Sequence, residues 1–325
     1  MKIMKNIQFA QVEPTTKCNF RCGFCCGRSM DQSNLSLAQF TEFLELFPEI
    51  QHLELQGEGE PLINPDFFKM VDLANRRRIY ISFITNGSFL HAYIQQILDS
   101  QIRSIRVSLE TADSEKFQRI RGGSFAVVEA GIRQLLSERS RLGLSQPSVG
   151  FALTVLASTV DDVPDIYDLY QQLGMDGAIA IQSLNPMPQY AEVYDDQIAS
   201  EYLETDQKQR LLGYMTSKVA QEIWFQKSPH HHFYDELFRP RPADIAKGKL
   251  ASCPWLDSGI NLDRHGRLTP CCMVKGESWS FGQLGEISRE EILDSKAYLA
   301  AELARGVIPA SCRDCHIAQM IIADE

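Results

Sequence analysis

The sequence lacks any run of apolar residues long enough to cross a membrane as a helix, which would need about 20 of them. It also lacks a recognisable signal peptide at its start. Basic residues are outnumbered, with 32 lysines and arginines against 42 aspartates and glutamates and a net charge of −10. A broad nucleic-acid surface needs an excess of basic charge. We therefore expect neither a membrane nor a nucleic acid as partner.

Cysteine, by contrast, is plentiful, with nine residues in a chain of 325. Without export signals, cysteines serve as metal ligands or reduced thiols more often than as disulfides. We therefore predict a reducing, cytoplasmic location. The length suits one large α/β domain with a smaller unit, and a hydrophobic content of 44% can fill a sizeable core.

The first three cysteines form a compact motif. Cys18, Cys22 and Cys25 follow a short apolar run with the spacing C-x-x-x-C-x-x-C. Thiolates at this spacing in one loop can hold three irons of a cubane [4Fe–4S] cluster. The fourth iron is then open to a small chelating ligand, such as the amino-carboxylate end of S-adenosylmethionine (SAM). The alternative is a zinc knuckle or a set of buried thiols, although zinc sites usually have four closed ligands.

The first part of the chain alternates short apolar strands with amphipathic helices. Such strands are typical of a parallel sheet buried on both faces, and right-handed crossovers would curve it into an incomplete barrel. The predicted fold class is α/β, a partial (β/α)6 TIM-like barrel with a small C-terminal α+β auxiliary-cluster domain. The predicted strands are Ile7–Glu13, His52–Gln56, Ile79–Ile84, Ser104–Leu109, Val149–Leu156 and Ala178–Gln182. The predicted helices are Leu37–Phe47, Pro65–Arg77, Leu90–Asp99, Phe125–Leu142 and Val163–Leu173.

Functional residues of such barrels lie on the loops that follow the strands. The cysteine motif follows the first strand, and in spacing and position it resembles the signature of radical SAM enzymes. The segment Gly57–Pro61 follows the second strand and is similar to the GGEP motif of that family, with Glu58 in place of the second glycine. This resemblance implies that Gly59 and Glu60 contact the amino group of SAM.

Two further loops are similar to segments of the same family. The sequence Thr-Asn-Gly around Asn86 implies a position near the adenosine end of SAM. The stretch from Ser108 to Arg121 is similar to a family pattern that begins S-L-D and ends R-G, with Glu110 in place of the aspartate. The resemblance implies that Ser108 contacts the ribose or carboxylate of SAM and that Arg121 pairs with the carboxylate. A solvated arginine at the start of a helix is the alternative for Arg121.

A second group of four cysteines lies near the C-terminus, around a predicted hairpin that turns at His265. Its arrangement, two single cysteines and then a C-x-x-C pair, resembles the SPASM and twitch extensions of radical SAM enzymes. The resemblance implies a second, auxiliary [4Fe–4S] cluster, whereas a structural Cys₄ zinc site is the alternative. The four implied ligands are Cys253, Cys271, Cys312 and Cys315.

These patterns divide the chain into three parts. Residues 1–184 form the predicted radical SAM core, and residues 251–325 form the auxiliary-cluster domain. Residues 185–250 are a linker or cap of unknown role, with a polar helix predicted near Thr205–Phe225. The three histidines at 230–232 are interpreted as a surface loop rather than a metal site, because adjacent side chains point in different directions.

Two cysteines remain outside the predicted ligand sets, Cys26 and Cys272. Each lies next to a predicted ligand. Either thiol could donate a hydrogen atom to a substrate radical, as in radical SAM epimerases. Packing as a small apolar residue is the alternative, which we favour for both.

The resemblance implies a reaction type. An electron from flavodoxin or ferredoxin cleaves SAM reductively, and the resulting 5′-deoxyadenosyl radical abstracts a hydrogen atom from the substrate. The substrate is either a peptide or a sugar- or nucleoside-type molecule, which undergoes maturation, dehydrogenation or epimerisation. The lack of an N-terminal extension for peptide recognition weakens the peptide class somewhat. The remaining alternative is a non-catalytic iron–sulfur electron carrier or a zinc-stabilised binding protein, which the loop at Gly57–Pro61 argues against.

Overall fold

The computed structural model describes residues 6–225, 252–275, 277–315 and 318. They contain one nine-stranded sheet in the order β6-β5-β4-β3-β2-β1-β7-β8-β9, in which the strands from β6 to β7 are all parallel. The sheet is open, so the predicted α/β fold with a partial barrel is confirmed. The strands are β1 Phe9–Val12, β2 His52–Leu55, β3 Tyr80–Thr85, β4 Ser104–Ser108, β5 Ser148–Val155, β6 Ala180–Ser183, β7 Gly259–Leu262, β8 Arg267–Thr269 and β9 Gly282–Gln283.

Twelve α-helices lie in the described residues. Helix α1 begins at a capping box in which the Ser36 side chain accepts from Gln39 N and the Gln39 side chain accepts from Ser36 N, as expected for a serine before an apolar run. The helices are α1 Leu37–Leu46, α2 Phe67–Arg76, α3 Leu90–Asp99, α4 Ser114–Arg121, α5 Phe125–Arg141, α6 Val163–Leu173, α7 Pro188–Ala191, α8 Asp196–Ala199, α9 Thr205–Met215, α10 Lys218–Phe225, α11 Pro254–Ser258 and α12 Arg289–Ala304.

The core lies between the parallel strands and the helices that cover them. Every residue of β1 is buried, and the apolar faces of the helices supply large buried side chains such as Phe43 and Phe67. Burial of such side chains is the main stabilising contribution of this layer, at about 1.5–3 kcal/mol for each. The rigid layer fixes the ends of the strands, from which the loops of the site extend.

The helices differ from the prediction in two ways, because α4, α7, α8 and α11 were not predicted and one predicted helix is divided in two. Helix α4 was not predicted, because its sequence is largely polar and buries only Phe117 and Arg121. The single helix predicted near Thr205–Phe225 is two helices that separate at Thr216, whose hydroxyl donates to the carbonyl of Leu212 at 2.8 Å. Such side-chain bonds to the backbone compete with continued helix.

The C-terminal part of the chain continues the barrel sheet. Strand β7 pairs in parallel with β1, from Phe9 opposite Gly259 to Val12 opposite Leu262. A Cβ atom on Gly259 would lie 2.2 Å from the Phe9 ring, so only glycine allows this approach. The predicted hairpin is present as β7 and β8, with Gly266 at a φ of +85° in the turn.

The segment after β6 is described up to residue 225, and its helices attach to the loop that follows β5. The Tyr214 hydroxyl donates to Asp161 at 3.0 Å, and the Gln207 amide donates to the carbonyl of Ala157 at 3.1 Å. The histidines at 230–232 lie outside the described residues. Among the helices that are described, none has the length and apolar character needed to cross a membrane.

Candidate functional site

The first cysteine motif lies in the loop after β1, at the carboxyl end of the parallel strands. The loop is fixed to the end of α4, because the backbone N–H of Arg21 donates to the carbonyl of Arg121 at 2.9 Å. Within it, the backbone N–H of Cys25 donates to the carbonyl of Cys22 at 3.2 Å. Cys18, Cys22 and Cys25 all line the same cavity, as the motif predicts.

Each of these three sulfurs accepts a hydrogen bond from an N–H group, and that of Cys25 comes from the backbone of Gly27. Cys18 Sγ accepts from the backbone of Phe20 at 3.4 Å and from the side chain of Asn86 at 3.6 Å. Cys22 Sγ accepts from the guanidinium of Arg121 at 3.8 Å. Burial raises the pKa of Cys22 to about 11, so the thiolate needs a metal to form at neutral pH. N–H donors directed at sulfur suit the ligands of an iron–sulfur cluster.

The loop after β2 packs against the cysteine loop, and Gly59 makes this possible. A Cβ atom there would lie 2.4 Å from the carbonyl oxygen of Thr15 and 2.6 Å from that of Lys17. The Gly59 N–H donates to the Thr15 carbonyl at 3.1 Å. The glycine is therefore required by the close approach of two backbones, while its predicted contact with SAM stays a prediction.

Glu60 joins the loops that follow β2 and β3. Its buried carboxylate accepts from the Thr85 hydroxyl at 2.8 Å, from the Asn86 N–H at 2.7 Å and from the Leu62 N–H at 3.2 Å. Burial raises the pKa of this carboxyl to about 7, despite these donors. Glu60 and Asn86 thus lie together at the cavity, as the two motifs predict, and their contacts with SAM stay predictions.

Arg121 is neither solvated nor at the start of a helix, so that alternative is wrong. It is the last residue of α4, only 5% exposed, and the Glu110 carboxylate binds its guanidinium in a bidentate pair that includes an Nη2–Oε1 contact of 2.5 Å. Glu110, whose role the motif left open, therefore orients Arg121 toward Cys22. Ser108 ends β4 and lines the cavity nearby. The predicted pairing of Arg121 with the carboxylate of SAM stays a prediction.

The structure reveals a charged cluster that sequence reasoning missed. The Glu58 carboxylate pairs with Lys275 Nζ at 2.8 Å and accepts from the Tyr190 hydroxyl at 3.0 Å. Lys275 also lies over the Tyr190 ring, 5.7 Å from its centroid. The signal in the sequence was a glutamate where the motif has a glycine, but its partners come from distant parts of the chain.

The electrostatics of this cluster favour an ionised pair. Burial opposes ionisation of Glu58, but the Lys275 ammonium and hydrogen bonds from Lys275, Cys26 and Tyr190 hold the pKa of its carboxyl below the usual value. Burial likewise favours a neutral Lys275, yet Glu58, Tyr190 and Glu13 hold the pKa of the amine well above its usual value. The pair is charged at neutral pH.

Three of the four C-terminal cysteines, Cys253, Cys312 and Cys315, pack against a second small apolar cluster of Leu256, Leu303 and Ala318. One begins α11, one follows β8, and two lie at the 3₁₀ turn near residue 312. Burial raises the pKa of Cys253 to about 11 and that of Cys271 well above its usual value. The four are Cys253, Cys271, Cys312 and Cys315, and all line the cavity.

A buried ammonium lies beside this second cysteine set. Lys296 is 3% exposed, and its Nζ donates to the carbonyl of Trp255 at 2.6 Å and to that of Gly259. Burial lowers the pKa of Lys296 to about 8, although Cys253 and Cys271 oppose the shift. A positive charge at this position fits a metal–thiolate centre, which carries negative charge.

Neither cysteine set is arranged around a single point. Ligands of one zinc ion each lie about 2.3 Å from the metal when they are sulfurs. Within the described ranges, no three histidine, cysteine, aspartate or glutamate side chains converge to hold a single metal ion. None of the nine cysteines, all of which are described, forms a disulfide.

The two remaining cysteines occupy different surroundings. Cys26 is 2% exposed, does not line the cavity and donates its thiol to Glu58, and its burial raises the pKa of the thiol. Cys272 lines the cavity. Only Cys272 is thus placed to reach a substrate, and hydrogen-atom donation by either thiol stays a prediction.

One cavity of about 1010 Å³ unites these features at the carboxyl ends of the strands. This volume is at the upper end of the roughly 300–1,000 Å³ of typical ligand pockets. Its walls include all seven predicted cluster ligands and the five predicted SAM contacts, which are Gly59, Glu60, Asn86, Ser108 and Arg121.

Comparison with known families agrees with this arrangement. The family model of the Radical SAM superfamily matches residues 12–176, just over half of the chain, and the SPASM model, described as an iron–sulfur cluster-binding domain, matches residues 253–316. The chain therefore belongs to the Radical SAM superfamily and carries a C-terminal SPASM domain. Its cofactors are a [4Fe–4S] cluster, SAM and auxiliary iron–sulfur clusters in the SPASM domain.

Several known proteins are similar in sequence. The tungsten-containing aldehyde ferredoxin oxidoreductase cofactor-modifying protein of Pyrococcus furiosus is 23% identical over 334 aligned positions, which cover 96% of this chain and 88% of that protein. A protein of Methanococcus aeolicus described as "probable GTP 3′,8-cyclase" is 26% identical over 67% of each chain. At this level of identity, the reactions named for these proteins belong to them.

Solved structures share the fold. Streptococcus suis SuiB bound to its precursor peptide SuiA superposes with a TM-score of 0.69 and 14% identity, covering 98% of this chain and 71% of SuiB. Native anSMEcpe with bound AdoMet gives a TM-score of 0.68 and 14% identity, covering 97% of this chain and 88% of that one. The chain therefore shares its overall fold with these two proteins.

Proposed function

We propose that the protein cleaves SAM reductively and abstracts a hydrogen atom from a substrate held between two iron–sulfur centres. In this proposal Cys18, Cys22 and Cys25 ligate the front [4Fe–4S] cluster. The auxiliary cluster is ligated by Cys253, Cys271, Cys312 and Cys315. The observation that carries the proposal is the single cavity, because both cysteine sets line it. When bound, the front cluster and SAM supply a 5′-deoxyadenosyl radical.

Residues of the protein would hold the cluster ligands, orient the reacting groups and exclude water. The N–H donors on Cys18 and Cys22 would hold the thiolates and lower their basicity. The close backbone packing at Gly59 would keep the loops after β1 and β2 together, so that the reacting groups stay oriented. Apolar walls from Phe20 and Leu153 would exclude water from the reaction.

We propose that the substrate is a side chain of a peptide. Strand β6 is an end strand of the sheet among the described residues, and all four of its residues line the cavity. Gln182 and Ser183 on it are exposed. An extended peptide can add to such an edge through backbone hydrogen bonds. SuiB, which shares the fold, is described with a bound precursor peptide, and this supports the same class.

A nucleotide or sugar is the second candidate. It is favoured by the sequence similarity to the Methanococcus aeolicus protein, which covers two thirds of this chain.

The auxiliary cluster would accept an electron in a net oxidation or serve a structural role in a redox-neutral reaction. Flavodoxin or ferredoxin would be the external reductant in either case.

The first test is the content of iron, sulfide and zinc in protein prepared without oxygen. We expect about eight irons per chain, falling to about four when Cys18, Cys22 and Cys25 are all changed to alanine. Cys26→Ala is the matched control and should keep all of the iron. Four irons and one zinc would instead make the C-terminal site structural.

The second test is the transfer of deuterium into 5′-deoxyadenosine. Under strong reductant, labelled peptides should give labelled 5′-deoxyadenosine, whereas labelled nucleotides and sugars should give none. Transfer from a nucleotide or sugar would replace the peptide class. If the clusters are intact but SAM is not cleaved, the protein would instead be a non-catalytic iron–sulfur electron carrier.

A further inference from the structure

The three sulfurs of the front motif differ in their electrostatic surroundings. Cys18 and Cys22 accept N–H donors, as described above. Cys25 accepts from the backbone of Gly27 but also faces two oxygens of Glu58, with its Sγ 3.6 Å from the carbonyl oxygen and 3.7 Å from the carboxylate Oε2. A thiolate at Cys25 would therefore lie beside a buried carboxylate, an arrangement that opposes further negative charge.

A cation from the C-terminal domain lies at this position. Lys275 reaches Glu58 Oε1 at 2.8 Å, and both side chains are 14% exposed, so water screens the pair little. Lys275 lies within the second cysteine set in the sequence, four positions after Cys271 and well before Cys312. Tyr190 donates to the same carboxylate oxygen at 3.0 Å and fixes its orientation.

We propose that Lys275 and Glu58 are a positioning pair that sets the reduction potential of the front cluster. Lys275 compensates the carboxylate beside Cys25, so the SPASM domain supplies a charge that the front site needs. Reduction adds negative charge to the cluster, and an uncompensated carboxylate nearby makes that reduction harder. The inference rests on the proposed ligation of the front cluster by Cys18, Cys22 and Cys25.

The backbone of Glu58 supports this role. Its N–H donates to Glu13 Oε1 at 2.9 Å, and Glu13 Oε2 lies 3.6 Å from the guanidinium of Arg264. Glu58 is thus held on its backbone and on its side chain. Both cations come from the part of the chain that follows β7, so the charge of the two buried carboxylates is balanced from that side.

The test is an EPR-monitored redox titration of the front cluster, identified as the signal that changes when SAM is added. Lys275→Met should lower the midpoint potential by at least about 59 mV, which for one electron corresponds to a tenfold change in the equilibrium constant of reduction. Glu58→Gln should raise it. The double variant should return near the wild-type value, and Lys275→Arg should resemble the wild type.

Controls separate this role from a structural one. Lys69→Met removes a lysine whose side chain is 66% exposed, and should leave the potential unchanged. A merely structural role for Lys275 would change iron content or thermal stability, but it would not give shifts of opposite sign that cancel in the double variant. Equal midpoint potentials in all variants would overturn the proposed role of the Lys275–Glu58 pair but not the proposed front cluster. The lack of any SAM-responsive signal in the wild type would overturn the proposed front cluster as well.

Discussion

The buried pair of Arg121 and Glu110 offers a prediction with a calculable size. Their side chains are 7% and 1% exposed, so Arg121→Met leaves a carboxylate in the interior without its cation. Breaking a buried pair on one side costs about 3–5 kcal/mol in unfolding free energy. We expect a loss of this size in urea denaturation under reducing, anaerobic conditions, with a lower midpoint and an unchanged slope. Iron retention should fall too, since Arg121 contacts Cys22.

A matched surface pair provides the control. Arg133 and Glu129 are 51% and 28% exposed, and Arg133→Met should cost only about 0.3–0.5 kcal/mol. The double variant Arg121→Met/Glu110→Leu should recover much of the loss, because it leaves no buried charge behind. If Arg121→Met costs no more than Arg133→Met, the reasoning from burial is refuted.

Three further predictions concern other parts of the chain. Gly59→Ala should lower the free energy of unfolding by about 1–3 kcal/mol and reduce front-cluster iron, because the added Cβ atom would clash with backbone atoms. Gly213 has open space around it, so Gly213→Ala should be neutral or stabilising in the same urea denaturation assay. Burial lowers the pKa of His52 to about 4, below its usual 6.5. Between pH 4 and pH 6.5, about the folded and unfolded pKa values, the unfolded chain therefore binds more protons, and stability falls as the pH drops through this range. In His52→Gln, the urea midpoint should change less with pH over the same range. Lys296→Met removes a buried donor from the carbonyls of Trp255 and Gly259 and should cost about 1–3 kcal/mol in thermal unfolding, while equal stability would argue against those bonds.

The sequence predicted those parts of the fold that repeat a simple pattern. Helices Leu90–Asp99 and Val163–Leu173 were placed correctly at both ends, because apolar residues recur at helical spacing in each. Helix Ser114–Arg121 was missed because it buries an arginine through a charge partner rather than an apolar stripe. The parallel pairing of β7 with β1 depends on contacts between distant segments, which no local pattern encodes.

The candidate site divides along the same line. The spacing of Cys18, Cys22 and Cys25 identified the front loop, because ligands close in sequence share one loop. The partnership of Glu58 with Lys275 could not be predicted from spacing, since the two residues lie in distant parts of the sequence and meet only in the folded chain. The motif marked Glu58 as unusual, but only the folded chain supplies its partner.

The parallel alignment of β7 with β1 also affects how this protein could be re-engineered. Because the C-terminal extension is hydrogen-bonded to the first barrel strand, it is not a cassette that can be exchanged freely between relatives. A chimera would need a strand that fits the edge of β1, including a glycine opposite Phe9. Truncation before β7 would also expose that edge, and exposed strand edges promote aggregation. The spacing between the two cysteine sets is thus built into the architecture instead of depending on a tether.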